Sequence, residues 1–345
     1  MAGSNSVILV VGGAGYIGSH MVKELLSCGR EVIVLDNLST GHRELVTGGT
    51  LVQGDLGDEA VLHGIFSRYP IDAVMHFAAY SLVGESVADP LKYYENNVAK
   101  TAGLLKAMLA HGTKRFIFSS SAAVYGEPDE VPVTEDCPTR PTNPYGMTKL
   151  TVEQMLTECD RAYGLRFVSL RYFNAAGADP SGCIGEDHNP ESHLIPLILK
   201  AAKGEAPHIC IFGTDYGTPD GTCLRDYIHV NDLVEAHLLS MRDLAEGTPS
   251  RVYNLGNSRG YSVREVIETA RRVTGRSIPV IEGPRRAGDP EVLIASSDKI
   301  KKELGWAPRF QELETIMETA WRWHKKMRIS DFGLRNEKRD GKTDD

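Results

Sequence analysis

Val7-Ile8-Leu9-Val10-Val11-Gly12-Gly13-Ala14-Gly15-Tyr16-Ile17-Gly18-Ser19-His20, followed at 31–36 by Glu-Val-Ile-Val-Leu-Asp, decides the fold. Residues 7–11 are an unbroken run of valine, isoleucine and leucine, the composition of a strand buried on both faces. Ile17, Met21, Val22 and Leu25 then recur on one face of a helix. A second apolar run, 31–35, closes on Asp36. Strand, glycine turn, helix and strand within about thirty residues make the βαβ unit of a parallel sheet.

Gly12, Gly15 and Gly18 are three apart, and Gly13-x-Gly15-x-x-Gly18 also fits the six-residue dinucleotide fingerprint. Glycine is needed there for a tight turn, for close approach of backbone to a pyrophosphate, and for helix-on-strand packing. The helix that begins at Tyr16 and Ile17 presents free N–H groups to the phosphates. Asp36 stands where a carboxylate accepts hydrogen bonds from the adenosine ribose and repels a 2′-phosphate. NAD is therefore expected rather than NADP. The plainer role for Asp36 is to cap the turn Asn37-Leu38-Ser39, and the βαβ context favours the ribose. Asp55, with Leu56 beside it, ends a third strand. It is either an adenine contact or an ordinary loop acid. Phe77-Ala78-Ala79 ends a fourth, where small residues admit a cofactor or simply pack.

Further strands are expected at 73–77, 115–119 and 165–170, with a long helix from near Asn143. Alternating strands and helices with apolar strands predict a doubly wound α/β sheet of the Rossmann type. After Arg171 the chain turns rich in Gly, Pro, Asn and Asp at 174–193 and 213–221. Helices are expected near 193–203, 230–244 and 263–274. The chain divides into a dinucleotide-binding domain, 1–173, that also takes in about 225–250, a smaller α/β substrate lobe, 174–330, and a charged tail, 331–345. At 345 residues with 41% hydrophobic content it can bury a core of this size.

A net charge of -8 argues against a general nucleic-acid partner. The six cysteines, 28, 137, 159, 183, 210 and 223, never take C-x-x-C spacing, so no metal is expected and they read as thiols in a reducing compartment. Residues 1–6 lack a basic signal-peptide region, and no stretch is long enough to span a membrane. The expectation is a cytoplasmic protein.

Tyr145-Gly-Met-Thr-Lys149 opens the long helix, and i and i+4 share a face. A phenol with a pKa of about 10 must lose roughly three units, about 4 kcal/mol, to act as a base near neutrality. The Lys149 ammonium and an oxidised nicotinamide can supply that between them. The cluster Ser119-Ser120-Ser121 ends the preceding strand, where ligands bind in open α/β sheets. Ser121 can donate to and accept from a sugar oxygen. Ser119 and Ser120 read as a polar turn.

With these segments stand Tyr93-Tyr-Glu-Asn96-Asn97-Val98, Arg171-Tyr172-Phe173-Asn174, Arg225-Asp-Tyr227-Ile-His-Val230 and Arg286-Ala-Gly-Asp289. Together they resemble the extended short-chain dehydrogenase/reductases and, within them, the UDP-glucose (UDP-galactose) 4-epimerases, from Val7 to about Trp323. The resemblance implies that Tyr145 is the general base and Lys149 its electrostatic partner and ribose ligand. Ser121 would bind the sugar's 4-oxygen. Asn96, Ser119 and Tyr172 would approach the cofactor, and Asn174, Arg225 and Arg286 the diphosphate of a UDP-sugar. Asp289 would hold the uridine ribose and Phe212 line the uracil pocket, with His193, Leu194, Cys210 and Tyr227 in the same substrate site. It also implies a homodimer.

Some positions depart from the family pattern. Ser81 stands where some relatives have lysine, and Ala123 where many have a hydroxyl. Leu293 stands where some have a tyrosine that narrows the pocket, so UDP-N-acetylhexosamines are expected to fit as well. A 4,6-dehydratase would carry Thr-Asp-Glu where this chain has Ser121-Ala122-Ala123. A uronate or pentose epimerase stays open at this stage.

Overall fold

A computed structural model describes residues 6–286 and 289–326. All five residues of β1 (Val7–Val11) are buried. Because side chains alternate across a strand, Ile8 and Val10 join one apolar cluster, while Val7, Leu9 and Val11 join another on the opposite face. On one side of β1 lie β2 (Glu31–Asp36) and β3 (Thr50–Gln53). On the other lie β4 (Ile71–His76), β5 (Arg115–Ser121), β6 (Arg166–Tyr172) and, at the edge, β10 (Arg251–Leu255). The order is β3-β2-β1-β4-β5-β6-β10, with every neighbouring pair parallel.

Helices α1 (Tyr16–Ser27) and α8 (Val230–Ala245) cover one face with Met21, Leu25, Leu233 and Met241. Helices α2 (Glu59–Arg68), α5 (Lys100–Ala110) and α6 (Pro144–Tyr163) cover the other with Leu62, Leu104, Met108, Val152 and Leu156. The short helices α3 (Val83–Ala88) and α4 (Pro90–Tyr93), then a π-helical turn, Tyr94–Ala99, link β4 to α5. The strand order reverses between β1 and β4, and ligands of such sheets bind at the carboxyl ends beside that switch point.

A smaller body sits over those ends. In it β9 (Leu224–His229) pairs with β7 (Asn174–Ala176), β11 (Gly260–Ser262) and β13 (Val292–Leu293), and β8 (Ile209–Phe212) pairs with β12 (Val280–Gly283). Its core joins α7 (Leu194–Lys203), α9 (Val263–Thr274) and α11 (Leu313–Lys326) through Ile198, Leu199, Ile267, Ile316 and Met317. Helix α10 (Asp298–Leu304) returns to the large sheet beside β10.

Two sequence expectations change. Ser119 and Ser120 are not a turn but buried strand residues of β5. The Ser120 hydroxyl donates to Glu153 at 2.6 Å, which satisfies it in the interior. Strand β10 was not expected at all. Its polar Asn254 is buried because it accepts from the Tyr125 hydroxyl at 2.7 Å and donates to Val133 O at 3.0 Å. The charged tail 331–345 and Met1–Asn5 lie outside the described residues. Among the described residues, no helix is long and apolar enough to cross a membrane, and all six cysteines are free.

Candidate active site

A cleft of about 720 Å³ follows the carboxyl ends of the large sheet and continues under the smaller body. At one end the glycine turn fits a dinucleotide. Gly12 has φ +81°, and a Cβ there would sit 2.5 Å from Ala78 N; one on Gly18 would sit 2.1 Å from Gly12 O. At Gly15 the nearest atom is an ordinary 3.4 Å away, so the space above the turn is open. No side chain caps α1, and Gly15, Tyr16 and Ile17 face the cleft. The first N–H groups of α1 are thus available to an anion.

Asp36 lines the cleft while accepting from Ala14 N at 2.9 Å and Leu38 N at 2.8 Å. It caps the following turn and ties that turn to the glycines. Asp55 and Leu56 also line this end, but the Asp55 carboxylate is already engaged. Burial pushes its pKa up; Lys100, the Gly57 amide and Asn37 outweigh burial and hold it below the usual carboxylate range. Phe77, Ala78, Ala79, Ser81 and Asn96 form the next stretch of wall. Asn97, beside Asn96, clamps that wall to α6 through Tyr80 and Thr148.

Asn143 caps α6 by accepting from Gly146 N at 2.9 Å, and Pro144 follows at the first helical position. A Cβ on Gly146 would lie 2.4 Å from Ala123 O. That close approach presses the helix start onto the turn after Ser121. Tyr145 is half-buried there, beside Ser121. Its low-dielectric surroundings raise its pKa, and the neighbouring Ser121 hydroxyl offsets only part of the rise. Lys149 Nζ donates to Ser119 O at 2.7 Å and lies 5.8 Å from the Tyr145 ring centroid. Burial lowers the Lys149 pKa to about 7, partly countered by the carboxylate of Glu153. Ser121, Tyr145 and Lys149 thus converge, but Lys149 without other charges near it does not bring the phenol down.

Two supports were not legible in the sequence. Arg171 forms a two-pronged pair with Glu153, at 3.0 and 2.6 Å, directly behind Ser120. Tyr172, in the cleft wall, hydrogen-bonds His237 of α8. His237 Nδ1 lies 2.8 Å from Leu233 O, which can only accept. The proton is therefore on Nδ1, and Nε2 accepts from the Tyr172 phenol.

At the far end, Asn174 Nδ2 donates to Asp226 O at 2.8 Å. Arg225 and Asp289 pair with each other, and the Arg286 guanidinium stands 3.9 Å from the Phe212 ring centroid. His193, Leu194, Cys210 and Tyr227 line the same region. Leu293 does not line the cleft. It packs against the cluster of Val124, Tyr125 and Val133, which Phe173, a cleft residue, also covers. His188 and Glu186 are wall residues that the sequence reading did not single out.

The profile of the "NAD dependent epimerase/dehydratase family" matches residues 8–256. The chain belongs to this family. A UDP-glucose 4-epimerase of Halalkalibacterium halodurans is 57% identical over 319 residues, 92% of this chain and 96% of the relative. The crystal structure of UDP-glucose 4-epimerase from Brucella ovis in complex with NAD is 50% identical, with a TM-score of 0.90 over 92% of this chain and 97% of that one. The corresponding enzyme from Bifidobacterium longum in complex with NAD+ and UDP is 41% identical, with a TM-score of 0.88 over 93% and 98%. The family match ends at 256, just past β10, so it spans the whole large sheet and most of the cleft wall.

Proposed function

We propose that this chain interconverts UDP-galactose and UDP-glucose by NAD-dependent epimerisation at C4, through a transient 4-keto sugar. The observation that carries the reading is the convergence of Ser121, Tyr145 and Lys149 on the floor of one cleft. That cleft reaches from the glycine turn to the Arg225–Asp289 pair. NAD, when bound, supplies the hydride acceptor and later the donor. Asp36, the α1 N-terminus and the small residues at 78–79 hold it.

Tyr145 takes the proton of the 4-hydroxyl while Ser121 hydrogen-bonds the same oxygen. Because burial holds the phenol above its ordinary pKa, it ionises only with positive charge beside it, which protonated Lys149 and an oxidised nicotinamide carry. Tyr172 and Asn96 border the cofactor. Asn174, Arg225 and Arg286 bind the diphosphate; a guanidinium suits this because it grips phosphate oxygens in pairs. Asp289, Phe212, His193, Leu194, Cys210 and Tyr227 hold the uridine. Affinity lodged in the nucleotide keeps the keto sugar in place while its other face turns to the cofactor. Dehydration would need an acid and a base after Ser121, and this chain has Ala122 and Ala123 there.

The enzyme works as a homodimer, supported by exposed Val87, Leu91 and Tyr94 on α3, α4 and the turn that follows. Its six free thiols suit the cytoplasm. The test is to incubate the purified protein with UDP-galactose and no added cofactor and to follow the anomeric protons by NMR. Formation of UDP-glucose up to equilibrium is expected. No conversion even after NAD is added overturns the reading.

A further inference from the structure

The loop before α7 reads Glu186-Asp-His188-Asn-Pro-Glu191-Ser-His193. One donor atom from each of Glu186, His188, Glu191 and His193 lies within 4.8 Å of all the others. The carboxylate side chains are 4% and 3% exposed and the imidazoles 31% and 49%. The acids therefore form a buried floor and the rings cover it. His188 Nδ1 stands 3.2 Å from Glu186 Oε1 and 3.7 Å from Glu191 Oε1, and His193 Nδ1 hydrogen-bonds Glu186. Four ligand atoms about 2.0–2.2 Å from a tetrahedral ion stand roughly 3.3–3.6 Å apart. Both His188 distances fall close to that spacing, while His193 and Glu186, in direct contact without an ion, would part slightly to admit one.

We propose that Glu186, His188, Glu191 and His193 bind a divalent transition-metal ion of the zinc class. The donor set decides the class: two imidazole nitrogens with two carboxylate oxygens suit zinc, whereas magnesium and calcium want six or more oxygens. The charges also close. Two carboxylates balance a dication, and both imidazoles enter neutral. The two rings stand edge to face with their centroids 5.3 Å apart, and both Nδ1 atoms reach the Glu186 carboxylate.

The surroundings fix the ligands as an outer shell does. Glu191 Oε1 accepts from Ser192 N at 2.8 Å and His193 N at 2.9 Å. Trp323 of α11 donates to Glu186 O at 2.8 Å, and a Cβ on Gly185 would strike its ring at 2.4 Å. The loop is thus pinned from behind by the last helix. Its front, through Glu186, His188 and His193, belongs to the cleft wall. The ion staples that wall and sets His193 at the start of α7. The proposal does not depend on the epimerase reading.

The test uses the full chain free of any purification tag. The protein is incubated with excess Zn2+, freed of loose metal by gel filtration, and its zinc counted by mass spectrometry. About one ion per chain is expected. Both His188→Ala and Glu191→Gln should retain less than about a tenth of that. Substitution with Co2+ should give the intense visible absorption of a tetrahedral site in the unaltered protein. Zinc below about a tenth per chain in the unaltered protein overturns the proposal. So does equal zinc in all three proteins, which would place the metal elsewhere, as at the exposed His63–His111 pair 3.0 Å apart. Should His188→Ala not fold, Glu191→Gln and the cobalt spectrum decide.

Discussion

Lys149 carries a cost that the reaction requires. Its folded pKa of about 7 lies below the ordinary 10.5. The unfolded chain therefore binds more protons across that window, and this group's contribution to stability rises with pH from about 7 to 10.5. Below pH 7 the penalty is complete, on the order of 4–5 kcal/mol. Lys149→Met removes it and orphans Ser119 O, at about 1–3 kcal/mol; the first effect is larger. The cofactor-free variant should melt above the unaltered protein near neutrality, with a gap that narrows toward pH 10.5, while turnover falls about 10²–10⁴-fold. Melting curves across that pH range check the first part, and a variant that melts lower at neutrality contradicts it. Leu293 sits on β13 beside Arg225 and packs against the Val124–Tyr125–Val133 cluster, sending no aromatic ring into the cleft. UDP-GlcNAc should therefore turn over at a rate comparable with UDP-glucose, and an undetectable rate would sink that expectation. That Tyr145, Lys149 and the glycines share one cleft wall was foreseeable from their spacing within a βαβ chain, while their roles rest on the family resemblance. The Tyr172–His237 bond was not, because it joins residues 65 positions apart that meet only when α8 packs on the sheet.

At the scale of elements, the start of α6 bears most of the chemistry. Asn143 supplies its cap, and Gly146 admits Ala123 O where any Cβ would clash. Asn143→Ala should cost about 1 kcal/mol of stability. It should lower kcat more than it raises KM, since the first turn that fixes Tyr145 frays while the uridine end is untouched. Asn143→Asp, which still caps, should restore both; equal losses in the two variants would show that capping is not the cause. Strands β1, β2, β4 and β6 were legible because each is an apolar run bounded by turn residues. The end of β5 and all of β10 were not. Their serines, asparagine and tyrosine are buried by partners such as Glu153, Glu303 and Val133, far away in sequence.

For the molecule as a whole, Val87 is 64% and Leu91 78% exposed on helices that pack against α6. The proposed dimer would cover these apolar residues. Light scattering after gel filtration should give twice 37.8 kDa, and Leu91→Glu should give the monomer with its secondary structure intact. A monomeric unaltered protein overturns the dimer. The late arrival of β10 in the large sheet shapes how the chain can be made. That strand completes the large sheet only after the chain has left it at Tyr172, built β7 to β9, and come back at Arg251. During synthesis the partner edge of β6 must wait for nearly eighty more residues to emerge, several seconds at about 5–20 residues per second. Over that interval the nascent chain displays an open parallel edge. The step most exposed to mispairing is therefore set by the order in which the ribosome delivers the strands.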